Sequence, residues 1–467
     1  MGFVDTFLSF LPEVKKPTEQ KLPFNSKLKW TLIILVAFFV LSVIPLYGLG
    51  ENSLAQFESL SIILGASFGS IMSLGIGPIV TASIVLQLLN GSGILRIDTT
   101  NKEGRAYFQG LQKILGIFFI IFEAFIYVFM GGLAPAAALQ GTAAYLPFQL
   151  ILVFQLFLGG ILVLYMDEVI SKYGFGSGVS LFIAAGVSSS LFVRALSPLT
   201  SAGTFAIGSG QAPVGQLWVF FASLIGRNPL GAALAASAII ATILVFVLSV
   251  YSQAMKIEIP LSFGRVRGHG IRWPLRFIYT SNIPVILTAA LLANFQLWAR
   301  LLERWGHPLL GTYIGNTPAT GFVAWITPPN IIQGIITGGL RFVDIAHASA
   351  YTIFMVGGAV MFSIFWVQTS GMDAASQARQ ILSSGLQVPG FRRDPRVLEQ
   401  ILNRYIFPLT VLGAITVGIL AAGADLLGAL ANGTGILLTV MIIYKLYEEI
   451  AQQHMMDMHP ALRKMME

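Results

Sequence analysis

The sequence predicts an all-α polytopic membrane protein, and three observations carry that prediction. The 467 residues are 55% hydrophobic and only 10% charged, whereas soluble domains carry about 25% charged residues. Ten apolar segments each approach the roughly 20 residues that an α-helix needs to cross the hydrocarbon core of a membrane. Basic residues are concentrated in every second connection between those segments, which indicates a single orientation with both termini on the cytoplasmic side.

The ten segments and their connections define the predicted organisation of the chain. The predicted spans cover residues 30–47, 72–94, 111–134, 147–166, 178–197, 235–255, 282–299, 350–370, 405–422 and 426–447. With the N-terminus inside, the inner segments hold 23 of the 28 lysines and arginines. An odd number of spans would destroy this alternation, so we expect a multi-pass cell-membrane protein with cytoplasmic ends.

The predicted domain boundaries follow from the spans. An N-terminal cytoplasmic segment precedes the first span, and its alternating apolar and polar residues suggest an interfacial amphipathic helix. The full division is 1–29 for that segment, 30–198 for an N-terminal half, 199–234 for an external loop, 235–453 for a C-terminal half with cytoplasmic loops 256–280 and 371–404, and 454–467 for a cytoplasmic tail.

Two pairs of similar segments indicate an internal duplication. The fifth span opens with "GSGVSLFIAA" and the tenth with "GTGILLTVMI", while the second contains "PIVTA" and the seventh "PVILTA". Each pair lies five spans apart, although similarity between two apolar segments can also arise by chance. Because five is odd, the second half enters the membrane from the opposite side, which predicts an inverted repeat with a central pathway between two halves of five helices.

The second span begins at a helix breaker. No charge occurs from Ser59 to Leu95, and a single helix of that length would measure about 55 Å against a hydrocarbon core of about 30 Å. Gly75, Gly77 and Pro78 supply a break, since proline is accepted in the first turn of the following helix. We therefore predict a short re-entrant helix over 57–69 that enters the membrane without crossing it, lining a cavity or buried in protein.

Enzymatic chemistry finds little support in the sequence. The chain contains no cysteine, no His-Glu-x-x-His zinc motif and no phosphate-binding loop. We accordingly predict no catalytic residue, no metal site, no cofactor and no enzyme activity. Ion and solute carriers usually place several ionisable residues within their spans, whereas here only Glu123 lies well inside one. An uncharged aliphatic pathway suits a varied polymer better than a defined ion.

The long sixth loop indicates a partner on the cytoplasmic side. Residues 256–284, "KIEIPLSFGRVRGHGIRWPLRFIYTSNIP", combine five basic residues with interleaved aromatic side chains, and "GFRRDPR" adds basic residues in the eighth loop. The positive-inside rule alone explains short basic loops but does not require aromatic interleaving. A nucleic-acid or ribosome surface would satisfy such loops, and anionic lipid headgroups are the competing ligand.

Several long segments resemble one known family. The stretches "LGIGPIVTASIVLQLLNGSGI", "DEVISKYGFGSGVSLFIAAGV", "YTSNIPVILTAALLANFQ" and "GTGILLTVMIIYKLYE" are similar to the core of the SecY family, the central subunits of protein-conducting channels. The resemblance covers nearly the whole chain, except for the outer loops 198–234 and 304–348. The "YTSNIP" and "GFR" segments look closer to archaeal and eukaryotic members than to bacterial ones.

That resemblance implies a role for particular residues. It implies an aliphatic pore ring, with Leu437 as an alternative to its last member: Ile76, Val80, Val179, Ile183, Ile286 and Leu438. It implies a plug formed by Phe57, Leu60, Ile62, Ile63, Leu64 and Phe68. It places Gln87, Glu123 and Asn294 near a lateral gate, although ordinary hydrogen bonding between helices would also explain polar groups there. Docking of a ribosome or another partner is implied for Arg265, Arg267, Arg276, Arg392 and Arg393.

The resemblance also implies partners and leaves one alternative function. The expected partners are a SecE-like subunit, a Sec-beta subunit, ribosomes with nascent chains, signal peptides and membrane lipid. The expected function is translocation of secretory polypeptides across the membrane and lateral release of membrane segments into it. The alternative is a secondary transporter, because inverted repeats around a central site are typical of that class as well.

Overall fold

The computed structural model describes most of the chain. The described residues are 13–15, 17, 22–52, 54, 64–95, 97, 102–200, 204–206, 211–263, 270–280, 282–315, 317–383, 386–387 and 394–458. Of the plug residues named above, only Leu64 and Phe68 fall inside these ranges. The predicted docking residues Arg265, Arg267, Arg392 and Arg393 lie outside them, as do Phe57, Leu60, Ile62 and Ile63.

Among the described residues of the first half there are six α-helices. They are α1 (Phe24–Val43), α2 (Gly77–Gly91), α3 (Lys102–Phe129), α4 (Tyr145–Tyr173), α5 (Gly178–Leu196) and α6 (Gln216–Ile225). Strands β1 (Leu49–Asn52) and β2 (Leu133–Pro135) pair antiparallel beyond the ends of α1 and α3.

The described part of the second half adds eight helices and five strands. The helices are α7 (Pro229–Ala254), α8 (Ile283–Arg304), α9 (Gly321–Trp325), α10 (Ile331–Thr337), α11 (Phe342–Thr369), α12 (Ala374–Ser383), α13 (Pro395–Leu426) and α14 (Gly433–Met458). The strands are β3 (Lys256–Phe263), β4 (Gly270–Arg276), β5 (Tyr313–Ile314), β6 (Thr317–Pro318) and β7 (Leu386–Gln387).

A helix occupies each of the ten predicted spans, and the protein is a multi-pass membrane protein. Eight of the described helices are long and apolar enough to cross a membrane, while α2 falls in a class of shorter apolar helices. Many large apolar side chains on the outer faces, such as Val247 and Phe154, are exposed. Such a surface suits hydrocarbon rather than water.

Several predicted boundaries differ from the observed ones. Helix α1 ends at Val43 rather than residue 47, because Pro45 follows and the residue before a proline avoids the helical region. Helix α7 begins at Pro229, inside the predicted external loop, with Asn228 accepting a hydrogen bond from the Gly231 backbone N–H. Likewise, α13 begins at Pro395, inside the predicted cytoplasmic loop.

The fold is not purely helical, since the two loops 256–280 and 371–404, which were predicted to be cytoplasmic, join in one small sheet. Strands β3 and β4 form a hairpin, and β7 pairs with the far end of β3 through Ser262 and Phe263. Behind this sheet, side chains of the hairpin pack with α12 and the first turns of α13 in a second apolar core. The two loops that were predicted to dock a partner therefore form a single structural unit.

A half-buried phenol joins the two loops of this unit. The Tyr279 hydroxyl donates to the carbonyl oxygen of Met372 at 2.7 Å. Burial, with a smaller contribution from the Asp373 carboxylate, raises the pKa of Tyr279 well above its ordinary value. The phenol therefore keeps its proton and its hydrogen bond throughout the physiological pH range.

Helices α5 and α14 cross the main core side by side and in opposite directions. A Cβ on Gly435, near the start of α14, would lie 3.1 Å from Val187 in the second half of α5. At the other end, Gly176 lies before α5 and close to Leu446 and Glu449, late in α14. This antiparallel pair is what an inverted repeat of five helices requires of its fifth and tenth helices.

Candidate functional site

A cavity of about 450 Å³ opens between the two halves of the molecule. Its walls come from α2, α3, α5, α8, α11 and α14, and polar side chains such as Arg105, Gln112 and Lys445 line its mouth. Part of the lining is aliphatic, with Val80, Val179 and Ile286, and this part is here called the apolar floor. A narrow apolar neck would resist filling by water.

The six predicted ring residues all belong to the core at this floor. Val80, Val179 and Ile286 face the cavity, whereas Ile76, Ile183 and Leu438 are fully buried in the same apolar cluster. Leu437, the alternative to Leu438, is equally buried. The predicted ring residues, which come from the start of α2 and from α5, α8 and α14, thus all lie in or against the main apolar core. Their arrangement as a ring and their role as a seal stay predictions.

The break before α2 places the described end of the plug segment against this cluster. Gly75 adopts a left-handed backbone conformation (φ +55°), and a Cβ there would lie 2.3 Å from the Leu64 carbonyl oxygen. The backbone N–H of Ile76 donates to that same oxygen at 2.8 Å. Helix α2 then begins at Gly77 with Pro78 in its first turn, which confirms the predicted helix break.

Two plug residues that the structure describes pack in or against the main apolar core. Leu64 is buried in the core that contains Ile76, and Phe68 packs against the Tyr127 ring. Gly65 adopts φ +52°, and a Cβ there would lie 3.7 Å from Cγ2 of Ile76. Residues 64–69 form turns rather than helix, and the predicted helix over 57–63 lies outside the described residues.

Two of the three predicted gate residues are joined by a hydrogen-bond network across helices. Asn294 on α8 donates to the Thr81 hydroxyl on α2 at 2.9 Å. That hydroxyl lies 2.8 Å from the carbonyl oxygen of Gly77 and 3.3 Å from Oε1 of Glu123 on α3. All three side chains are buried. The network spans the boundary between α2 and α3 on one side and α8 on the other, where the lateral gate is predicted.

The third predicted gate residue does not join this network. Gln87 lies on α2 two turns further along and lines the cavity. Within the described part of the chain, its Oε1 atom is buried and has no hydrogen-bond partner. Oε2 of Glu123 is also buried and, among the described residues, has no hydrogen-bond partner. Unsatisfied buried polar atoms are costly, so both oxygens are available to a group that enters the gate.

Thr81 is the site residue that sequence reasoning missed. A threonine in a helix commonly satisfies itself through the carbonyl four residues earlier, as Thr81 also does with Gly77. A threonine in an apolar span therefore does not indicate a hydrogen bond to another helix. Only the packing of α8 beside α2 shows that the hydroxyl also accepts from Asn294.

One predicted docking residue is described, and it already has an intramolecular partner. Arg276 ends β4 and forms an ion pair of 2.7 Å with Glu448 on α14, with roughly half of the arginine side chain exposed. This ion pair links the hairpin to a helix that carries a ring residue. A docking role for Arg276 stays a prediction, and its charge is partly neutralised within the chain.

The fold and this site define a class of protein: a multi-pass membrane protein with a cavity between its two halves that is lined by both polar and aliphatic side chains. Comparison with known families makes the assignment more specific. A family described as SecY matches residues 70–447, and one described as the plug domain of Sec61p matches residues 36–69. The chain belongs to the SecY family.

Similar proteins agree over nearly the full length. The protein translocase subunit SecY of Methanothermobacter thermautotrophicus is 46% identical over 463 residues, covering 98% of this chain and 97% of the relative. A solved protein-conducting channel superposes with a TM-score of 0.83 at 42% identity, covering 97% and 98% of the two chains. Sec61 from the canine ribosome–channel complex superposes with a TM-score of 0.80 at 40% identity, with the same coverage. None of these comparisons favours a secondary transporter.

Proposed function

We propose that this protein is the central subunit of a protein-conducting channel, which moves secretory polypeptides across the cell membrane and releases membrane segments sideways into the lipid. The observation that carries the proposal is the buried aliphatic cluster at the floor of the cavity, with Leu64 of the plug segment packed beneath Ile76. An aliphatic neck opposes water and ions through dewetting. It also offers no strong binding site to a passing chain of arbitrary sequence.

The polar network between α2, α3 and α8 supports a lateral gate. One hydrogen bond, from Asn294 to Thr81, joins the two sides, and hydrogen bonds between membrane helices are worth only about 0.6 kcal/mol on average. A signal segment that enters between the helices can therefore replace this contact at small cost. Signal peptides and membrane lipid are accordingly the partners that we assign to the gate.

The cytoplasmic sheet supports ribosome docking. The basic segment around Arg265 and Arg267 follows β3, while the one around Arg392 and Arg393 follows β7, and these two strands are paired. Both basic segments thus continue from paired strands of one small sheet, which supports a shared role in binding a phosphate backbone. Anionic headgroups are the competing ligand, and ribosome sedimentation with the variants of Arg265, Arg267 and Arg392 tests the ribosome directly.

Family membership leads us to propose the remaining parts of the assembly. A SecE-like single-span subunit would clamp the two halves, and a Sec-beta subunit would lie at the periphery. The proposed orientation places both termini in the cytoplasm, consistent with the basic residues in the inner loops. The chain itself would carry no enzymatic activity, so that the energy for translocation comes from its partners.

Protease protection of a nascent chain tests the proposal. Proteoliposomes that contain the protein with its partner subunits are mixed with stalled ribosomes that carry either a signal-bearing or a signal-less nascent chain. We expect protection of the signal-bearing chain alone. A secondary transporter would protect neither chain and would instead accumulate a small solute, and that pair of results would overturn the proposal.

A further inference from the structure

Each half of the molecule contains an aspartate that binds the beginning of that half's last helix. Near the end of α4, Oδ1 of Asp167 accepts hydrogen bonds from the backbone N–H groups of Val179, at 3.0 Å, and Gly178. In the last turn of α13, the carboxylate of Asp425 accepts from the N–H groups of Thr434, at 2.9 Å, and Gly433. Both bind the first two residues of the next helix, α5 or α14.

The two carboxylates thus satisfy equivalent groups in the two repeats. The first N–H groups of a helix have no partner within the helix, and the positive end of its dipole favours a negative charge. Aligned on these contacts, Val179 corresponds to Thr434 and Ile183 corresponds to Leu438. Each ring residue follows the bound N–H by one helical turn, about 6 Å along the helix axis.

The helix starts are also seated tightly against the helices that carry the carboxylates. A Cβ on Gly178 would lie 2.6 Å from Cα of Asp167, and one on Gly433 would lie 2.1 Å from the carbonyl carbon of Ala424. Such distances leave room for glycine only. Neither helix start can move toward its capping helix, and the hydrogen bonds to the carboxylate oppose movement away from it.

Asp425 is held in place by further partners. The Tyr351 hydroxyl on α11 donates to its Oδ2 atom at 2.5 Å, and the Thr434 hydroxyl contacts the same oxygen. Since α5 and α14 lie side by side in opposite directions, the two caps hold the pair from opposite ends. The relative depth of Ile183 and Leu438 is therefore fixed by two separate anchors.

We propose that Asp167 and Asp425 are repeat-related positioning residues, which set the depths of α5 and α14 and thereby keep Ile183 level with Leu438 in the constriction. This inference rests on the proposed function, in which the constriction seals the resting channel. Loss of either carboxylate lets one helix slide relative to the other and opens a gap in the seal. In this role the aspartates act through the helix starts that they bind, although Asp167 also lines the cavity.

A capping aspartate elsewhere in the chain provides a matched control. Asp373 caps α12, where its Oδ2 atom accepts from the Ser376 backbone N–H at 3.1 Å. Helix α12 lies in the cytoplasmic unit and carries none of the ring residues. The change Asp373→Asn therefore reports the general effect of losing a charged helix cap, without a shift of the constriction.

The experiment measures ring exposure and ion leak in the same channels. Because the chain contains no cysteine, Ile183→Cys introduces a single thiol at the ring, and its rate of modification by a water-soluble thiol reagent reports access from the cavity. Asparagine can still accept a hydrogen bond, so the changes Asp167→Asn and Asp425→Asn remove mainly the negative charge at the positive end of the helix dipole. We expect each to raise this rate and the resting ion leak by a factor of about 2 to 30, the range of such a charge–dipole interaction. Asp373→Asn should change neither quantity.

Further variants separate the positioning role from misfolding and from the seal itself. Asp167→Glu keeps the charge but adds one methylene, so it should also raise thiol reactivity, and thermal unfolding of every variant shows that the channels are folded. Unchanged thiol reactivity in the folded Asp167→Asn and Asp425→Asn channels would overturn the inference, as would an equal effect of Asp373→Asn. The variant Ile183→Ser tests the seal itself: if it leaks while the aspartate variants do not, the proposed function stands and the positioning role fails.

Discussion

Replacing Asn294 by leucine should make the channel accept less hydrophobic signal segments. The change removes the hydrogen bond of 2.9 Å from Asn294 to Thr81 that joins α8 to α2 across the predicted gate. Hydrogen bonds between membrane helices average about 0.6 kcal/mol and reach about 1.7 kcal/mol. The free-energy difference between closed and open gate should fall by that amount, which raises the open population by a factor of about 3 to 18.

This free energy converts directly into signal hydrophobicity. A leucine at the centre of a membrane segment contributes about 0.5 kcal/mol to insertion. A channel with Asn294→Leu should therefore accept a signal segment with about one to three fewer leucines than the original channel requires. The assay is translocation of a series of model substrates whose signal segments differ by one leucine at a time, with the midpoint of the series as the measured quantity.

Two further variants identify the hydrogen bond as the cause. Thr81→Val removes the acceptor while nearly keeping the volume, so it should shift the midpoint in the same direction, and the double variant should shift it by less than the sum. Gln296→Leu is the control, because Gln296 lies on the same helix but bonds to Thr327 at 3.0 Å, away from α2. An unmoved midpoint in Asn294→Leu, or an equal shift in Gln296→Leu, would refute the latch.

Three other predictions concern the docking loops, the ring and the plug. Changing Arg265, Arg267 and Arg392 to Glu should abolish ribosome binding in a sedimentation assay without lowering the unfolding temperature. The ribosome affinity of the original channel should fall by about 0.7 to 0.9 log units per decade of salt for each phosphate contact. Unchanged affinity in the triple variant would contradict docking. Replacing the six ring residues by Ser should give folded channels that conduct ions at rest in planar bilayers, whereas packing residues alone would lower stability without conductance. Leu64→Ala should weaken plug packing by about 2 to 5 kcal/mol and cause an intermittent leak, and Leu309→Ala, at a side chain that is 83% exposed, should leave the bilayer silent.

Much of the fold could be predicted because membrane insertion constrains the sequence strongly. Apolar length and the placement of basic residues located all ten helical segments, since unpaired backbone groups are excluded from hydrocarbon. The helix break at Gly75–Pro78 was predictable for the same reason: a charge-free stretch too long for one span must be interrupted. The ring residues, by contrast, came from family resemblance, because Val and Ile at those positions look like any apolar span.

Contacts between distant segments could not be predicted from one sequence. The pairing of β3 with β7 joins residues more than 120 positions apart, and neither segment has a pattern that names its partner. The hydrogen bond between Asn294 and Thr81 spans 213 positions. In the sequence, Thr81 looks like any helical threonine whose hydroxyl bonds to the carbonyl oxygen four residues earlier. Asp167 likewise reads as one of several charges at a helix end until the start of α5 is placed beside it.

A polypeptide in transit should pass through the aliphatic cluster between the two halves. The absence of cysteine in the chain allows a direct measurement with single cysteines at Ile183 or Ile286 and one cysteine in a nascent chain stalled during translocation. We predict disulfide crosslinks at both ring positions, and none at Val247→Cys on α7, a side chain that is 56% exposed on the outer surface. Crosslinks at Val247→Cys without any at the ring would contradict this path for the polypeptide.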